Sequence, residues 1–120
     1  MSDFMVEFYE TADGTKPMVA FLDHLDGKLA AKVVHDIGLL KQFGNQLREP
    51  YSKYLAEGIF ELRTKQSTNI TRSFYFFQTG GVIVMTHGIV KKRDATPIQE
   101  LNRAIRYKAD WERRHHGGAG

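Results

Sequence analysis

The chain has no cysteine. That removes a disulfide framework, thiolate metal sites and a cysteine nucleophile together, and it fits a reducing compartment. No apolar run approaches the roughly 20 residues of a membrane span. The opening MSDFMVEFYE is acidic and alternating, without the basic segment and apolar stretch of a secretion leader. These features predict a cytoplasmic protein with no membrane association. A glycine-rich phosphate loop and a GxSxG elbow are also missing, which argues against nucleotide-dependent and serine-hydrolase chemistry. His24 and His35 stand too far apart for a local metal pair, and His115-His116 lies near the end. The expectation is no metal and no cofactor.

What is present describes a water-soluble domain: 42% hydrophobic and 26% charged residues over 120 positions. A single domain over residues 1–114 is expected, with 115–120 as a flexible tail. The net charge of +3 divides unevenly. Residues 1–60 hold 6 Lys/Arg against 9 Asp/Glu, whereas residues 61–120 hold 11 against 5. A basic half points to a polyanionic partner, because Lys and Arg displace the counterions condensed on phosphates.

Phe4, Val6 and Phe8 alternate as in a strand. Thr15 and Pro17 can open a helix carrying Met18, Phe21, Leu22 and Leu25, and Asp26 can cap a second whose stripe is Leu29, Val33, Ile37 and Leu40, stopped by Gly44. A loop over 46–52 precedes three strands, 59–64, 70–78 and 82–87, with a tight turn at Thr79-Gly80-Gly81. Thr96-Pro97-Ile98-Gln99 reads as a capping box for a last helix burying Ile98, Leu101, Ile105 and Ala109. The order β-α-α-β-β-β-α predicts an α+β fold, a mainly antiparallel sheet with helices on one face and the other open to a ligand.

Chemistry concentrates on the later strands. Glu61 and Arg63 share the face opposite Phe60 and Leu62, so Glu61 is either an acid–base group or, the simpler reading, half of an ion pair. Arg72 stands beside Phe74 and Phe76, with Tyr75 on the other face. Aromatics next to arginine suit unpaired RNA bases, which stack on rings while cations hold phosphates, although the same aromatics also suit a plain core. His87 is expected at a strand end, just before the basic run Lys91-Lys92-Arg93. That run can bind phosphate, and crowding of like charges lowers a lysine pKa toward a range useful for proton transfer. The alternatives are a structural histidine and a solvated loop.

Taken together, Lys53-Tyr54-Leu55, Gly58-Ile59-Phe60-Glu61-Leu62-Arg63, Arg72-Ser73-Phe74-Tyr75-Phe76, His87-Gly88 and Lys91-Lys92 through Thr96-Pro97 resemble the phage-derived, HigB-like branch of the RelE/HigB toxin superfamily. The resemblance implies a compact RelE-like fold and metal-independent cleavage of mRNA on the ribosome. It also implies neutralisation by a cognate antitoxin, often one with a helix-turn-helix domain. By position, Arg72 corresponds to the phosphate-stabilising arginine, and Lys91 and Lys92 to the basic residues before the last helix. His87 or a lysine is left as acid or base, and Arg63, Tyr75 and Arg93 as RNA-binding residues. Glu61 departs from the pattern, standing where the better-studied branch has a lysine base, and no tyrosine opens the last helix. The competing expectation is a non-catalytic toxin that poisons DNA gyrase, or a phage factor that binds a host protein.

Overall fold

The computed structural model describes residues 3–91 and 95–116, His116 by its backbone only. The elements are β1 (Met5–Phe8), α1 (Pro17–Asp23), α2 (Gly27–Phe43), β2 (Ser52–Ala56), β3 (Ile59–Gln66), β4 (Asn69–Gln78), β5 (Val82–Lys91) and α3 (Ile98–His116), with a 3-10 turn over Gly44–Gln46. One sheet runs β1-β5-β4-β3-β2, antiparallel except for the parallel β1–β5 pair. This is the α+β class expected from the order of elements.

Local chemistry accounts for most boundaries. The Asp26 carboxylate accepts from the Leu29 amide at 2.9 Å and caps α2, and Gly44 ends it at φ +54°, where a Cβ would strike the Phe4 ring. Gly80 and Gly81 both have positive φ, as the hairpin turn between β4 and β5 requires. Thr15 does not cap α1: the helix follows Lys16 and starts on Pro17, with no side-chain cap.

Larger expectations are corrected as well. First, residues from Ser52 on form an additional strand, β2, joined to β3 through Glu57 and Gly58 at φ 54° and 83°. Second, helices cover both faces of the sheet. Phe74 and Phe76 of β4 lie with Leu101, Ala104, Ile105 and Trp111 of α3, whereas Tyr75 and Phe77 lie with Met18, Phe21, Val33 and Leu40 of α1 and α2. Since β4 is apolar on both sides, leaving either face open would expose large aromatic area to water. Third, α3 turns slightly from the predicted stripe: Ile98 is exposed, Ala104 is buried, and the helix continues through His115, stacked on Trp111, into the predicted tail.

β5 continues past His87 to Lys91, so His87 is mid-strand. An irregularity opposite Ser73 and Tyr75 resets the alternation of β5, so that Val84 and, beyond the bulge, His87 and Ile89 all face α3.

Candidate functional site

Glu61 organises the site. Its side chain is fully buried on the α3 face of β3, with Arg63 two residues on and Arg72 directly across from Arg63 on β4. Arg63 Nε donates to Glu61 Oε2 at 2.8 Å and Arg72 donates to the same oxygen at 2.9 Å. The Thr96 hydroxyl donates to Oε1 of Glu61 and accepts from Arg72 at 3.2 Å. Thr96 therefore ties the entry of α3 to the sheet instead of closing a capping box on its own helix. Glu61 is an ion-pair partner, the simpler of its two sequence readings, and it fixes two guanidinium groups side by side. A buried carboxylate is tolerated only with such pairing.

The two arginines differ in exposure. Arg72 is 4% exposed and Arg63 27%, and both line a cavity of about 390 Å³ with Lys32, Asp36, Pro50, Tyr51, Thr64 and Ile70 among its walls. Lys91, almost buried, lies across from Ile70 in the adjoining strand. It lines a second cavity of about 630 Å³ together with Ala95, Thr96, Pro97 and Glu100. Thr96 thus borders the second cavity and bonds to the arginine of the first. Lys92 and Arg93 lie outside the described residues.

His87 is set apart from the arginines. It is buried against Phe74 and Tyr107, and its Nε2 faces Glu100 Oε1 at 3.0 Å while Nδ1 faces the Thr86 hydroxyl at 3.1 Å. A neutral ring with its proton on Nε2 satisfies both. Burial, and then the Arg103 charge, push its pKa down to about 4, so the imidazole is uncharged at neutral pH. Glu100, which the sequence reading passed over, is held by His87 and faces the Arg103 guanidinium at 3.7 Å.

Tyr75 cannot serve as an RNA-stacking surface. It is 1% exposed beneath α1 and α2, its hydroxyl bonds to Ser52, and burial pushes its pKa up to about 12. Phe74 and Phe76 are likewise core. Alternation in sequence reported two apolar faces correctly but not that both were covered. Among the described residues no three His, Asp or Glu side chains gather as metal ligands, and no helix is long and apolar enough to cross a membrane.

The arginine pair and the His87-Gly88 strand occupy the segment that a family model recognises: that of phage-derived Gp49-like proteins matches residues 20–109. The chain belongs to this family. The match takes in the second half of α1, all of α2, every strand but β1, and most of α3, so Glu61, Arg63, Arg72, Lys91 and Glu100 all fall within the Gp49-like region. The Gp49-like family is associated with RelE-like toxins. No curated protein matches the chain.

Proposed function

We propose that the chain is the toxin of a toxin–antitoxin pair, a metal-independent endoribonuclease that cuts mRNA on the ribosome. The observation that carries this reading is the pair of guanidinium groups anchored on the buried Glu61 carboxylate beside an open cavity. In the reaction a ribose 2′-oxygen forms a bond to the adjacent phosphorus, the bond to the 5′-oxygen breaks, and a cyclic phosphate and a 5′-hydroxyl result. The intervening phosphorane gathers negative charge, which cations fixed beforehand stabilise without reorganisation. Arg63, the more exposed, contacts the phosphate directly, and Arg72 and Lys91 add field from below. Lys92 and Arg93, which follow Lys91 in the sequence, are read as further cations for phosphate.

The 2′-hydroxyl proton needs an acceptor and the departing 5′-oxygen a donor. Glu100 and Lys91, in one cavity, supply a carboxylate and an ammonium for those tasks. His87 orients Glu100 and does not itself meet the RNA. Partners in this reading are mRNA, the ribosome and a cognate antitoxin with a helix-turn-helix domain.

Induced expression in a bacterial host, followed by pulse labelling and primer extension, tests it. Protein synthesis is expected to stop, with cuts phased to the reading frame. Growth arrest with intact translation and failed DNA replication would instead favour a gyrase poison.

A further inference from the structure

β1 stops short of its neighbour. It pairs with Val82–Met85, whereas β5 runs on to Lys91, and among the described residues no strand pairs with Thr86–Val90 on that side. This stretch of β5 is an open sheet edge, about 17 Å long at the ordinary rise of a strand, with outward backbone groups available to a further strand.

Two cavities follow the edge. The first, of about 460 Å³, holds His87 and Gly88 together with Phe21 and His24 of α1 and Arg103 and Tyr107 of α3. Because α1 and α3 pack on opposite faces of the sheet, a space that touches both lies at the edge itself, in a groove between two helical lips. The second, of about 630 Å³, continues past Ile89 and Val90 to Pro97 and Glu100.

We infer that this groove takes an extended segment of a partner polypeptide, about six residues in which apolar and acidic side chains alternate, added to the sheet beside β5. Successive side chains of a strand point to opposite faces. One set meets Pro17, Ala20 and Phe21 on the α1 side, and the other meets Arg103 on the α3 side. Val90, two residues beyond Gly88 on the same face, extends the apolar row and is 51% exposed. Both carboxylates on the walls are already engaged, Asp13 by the Thr11 hydroxyl and the Thr15 amide, and Glu100 by His87 and Arg103. β5 itself leads into the basic run Lys91-Lys92-Arg93, so the surplus charge around the groove is positive and suits an acidic segment. A second copy of the chain is a poor occupant, because its own stretch of β5 is recessed between the same two helices. A strand seated here covers the cavity of Lys91 and Glu100 and thereby inhibits cleavage. That consequence rests on the proposed nuclease reading, whereas the docking does not.

The test is NMR titration of the whole chain with three capped octapeptides: valine alternating with glutamate, valine alternating with lysine, and the glutamate peptide with every amide N-methylated. The glutamate peptide is expected to shift the amides of Thr86–Val90 and protect them from exchange. It should bind about tenfold or more tightly than the lysine peptide, and the methylated peptide should not bind. Val90→Glu, at an exposed position whose fold the spectrum of the unbound protein checks, and Arg103→Glu should each weaken the glutamate peptide by a similar factor. Absence of binding, shifts confined to other parts of the chain, equal binding of the methylated peptide, or self-association through this edge overturns the groove. Ribosomal cleavage separates the two readings. A saturating peptide that occupies the edge without slowing cleavage retains the groove and removes Lys91 and Glu100 from the reaction. A chain that takes the peptide at β5 but cuts no mRNA retains the groove and loses the nuclease.

Discussion

Arg63 and Arg72 share one carboxylate but stand differently toward solvent, and their substitutions separate accordingly. Arg63→Ala leaves Glu61 with Arg72 and Thr96, so the expected stability loss is that of one charged hydrogen bond, about 1.5–3 kcal/mol. Ribosome-dependent cleavage should fall far more, about a hundred- to a thousandfold, as for a preorganised donor acting on the transition state. Single-turnover cleavage beside urea unfolding measures both; a near-parental rate would remove Arg63 from the site. Arg72→Ala breaks a buried pair and should cost about 3–5 kcal/mol in the same unfolding experiment, so its loss of toxicity is interpretable only where the protein remains folded.

His87 gives the molecule an acid limb. Its pKa is about 4 when folded against the ordinary 6.5, so between those values the unfolded chain takes up a proton that the folded chain refuses. Stability therefore declines as pH falls from 6.5 toward 4, by on the order of 3 kcal/mol from this residue. Glu100, Arg103 and Arg106 set the field around the ring. His87→Gln should flatten this limb relative to the parent when unfolding is followed at pH 7 and pH 4.5; parallel declines in the two proteins would show that His87 does not control it.

At the scale of elements, the contact between α1 and β5 depends on the absence of a side chain. A Cβ on Gly88 would come within 2.4 Å of the Phe21 ring, which is wedged between helix and strand. Gly88→Ala is expected to lower stability by about 1–3 kcal/mol through overpacking, with partial recovery in Gly88→Ala combined with Phe21→Leu; thermal unfolding of the three proteins checks it. Elements with strong local signals were legible in the sequence: the Asp26 cap, the Gly44 stop, the Gly80-Gly81 turn and the alternation along β4. β2 was not, because Glu57-Gly58 is a weaker hairpin signal than Asn-Gly or Asp-Gly, and an edge strand with exposed Lys53 and Tyr54 looks like loop. The continuation of β5 through Gly88 was hidden for a similar reason, since glycine in a strand reads as a break until the close approach of Phe21 explains it.

For the whole molecule, the expected independence from metal has a direct measurement. Dialysis against a chelator should leave the melting temperature unchanged, since no three ligand-type side chains converge among the described residues; a fall restored by one divalent ion would contradict this. Composition and periodicity by themselves determined the α+β class, the helical stripes, the basic second half and the residue types available for phosphate chemistry, because these depend on side-chain identity and local backbone preference. Only the tertiary structure decided that both sheet faces are covered, that Tyr75 belongs to the core and that Glu61 binds Arg63 and Arg72 together. It also brought Thr96 to that carboxylate, from 35 positions later. Strand register and helix docking set those distances, and residues far apart in a chain carry no local record of them.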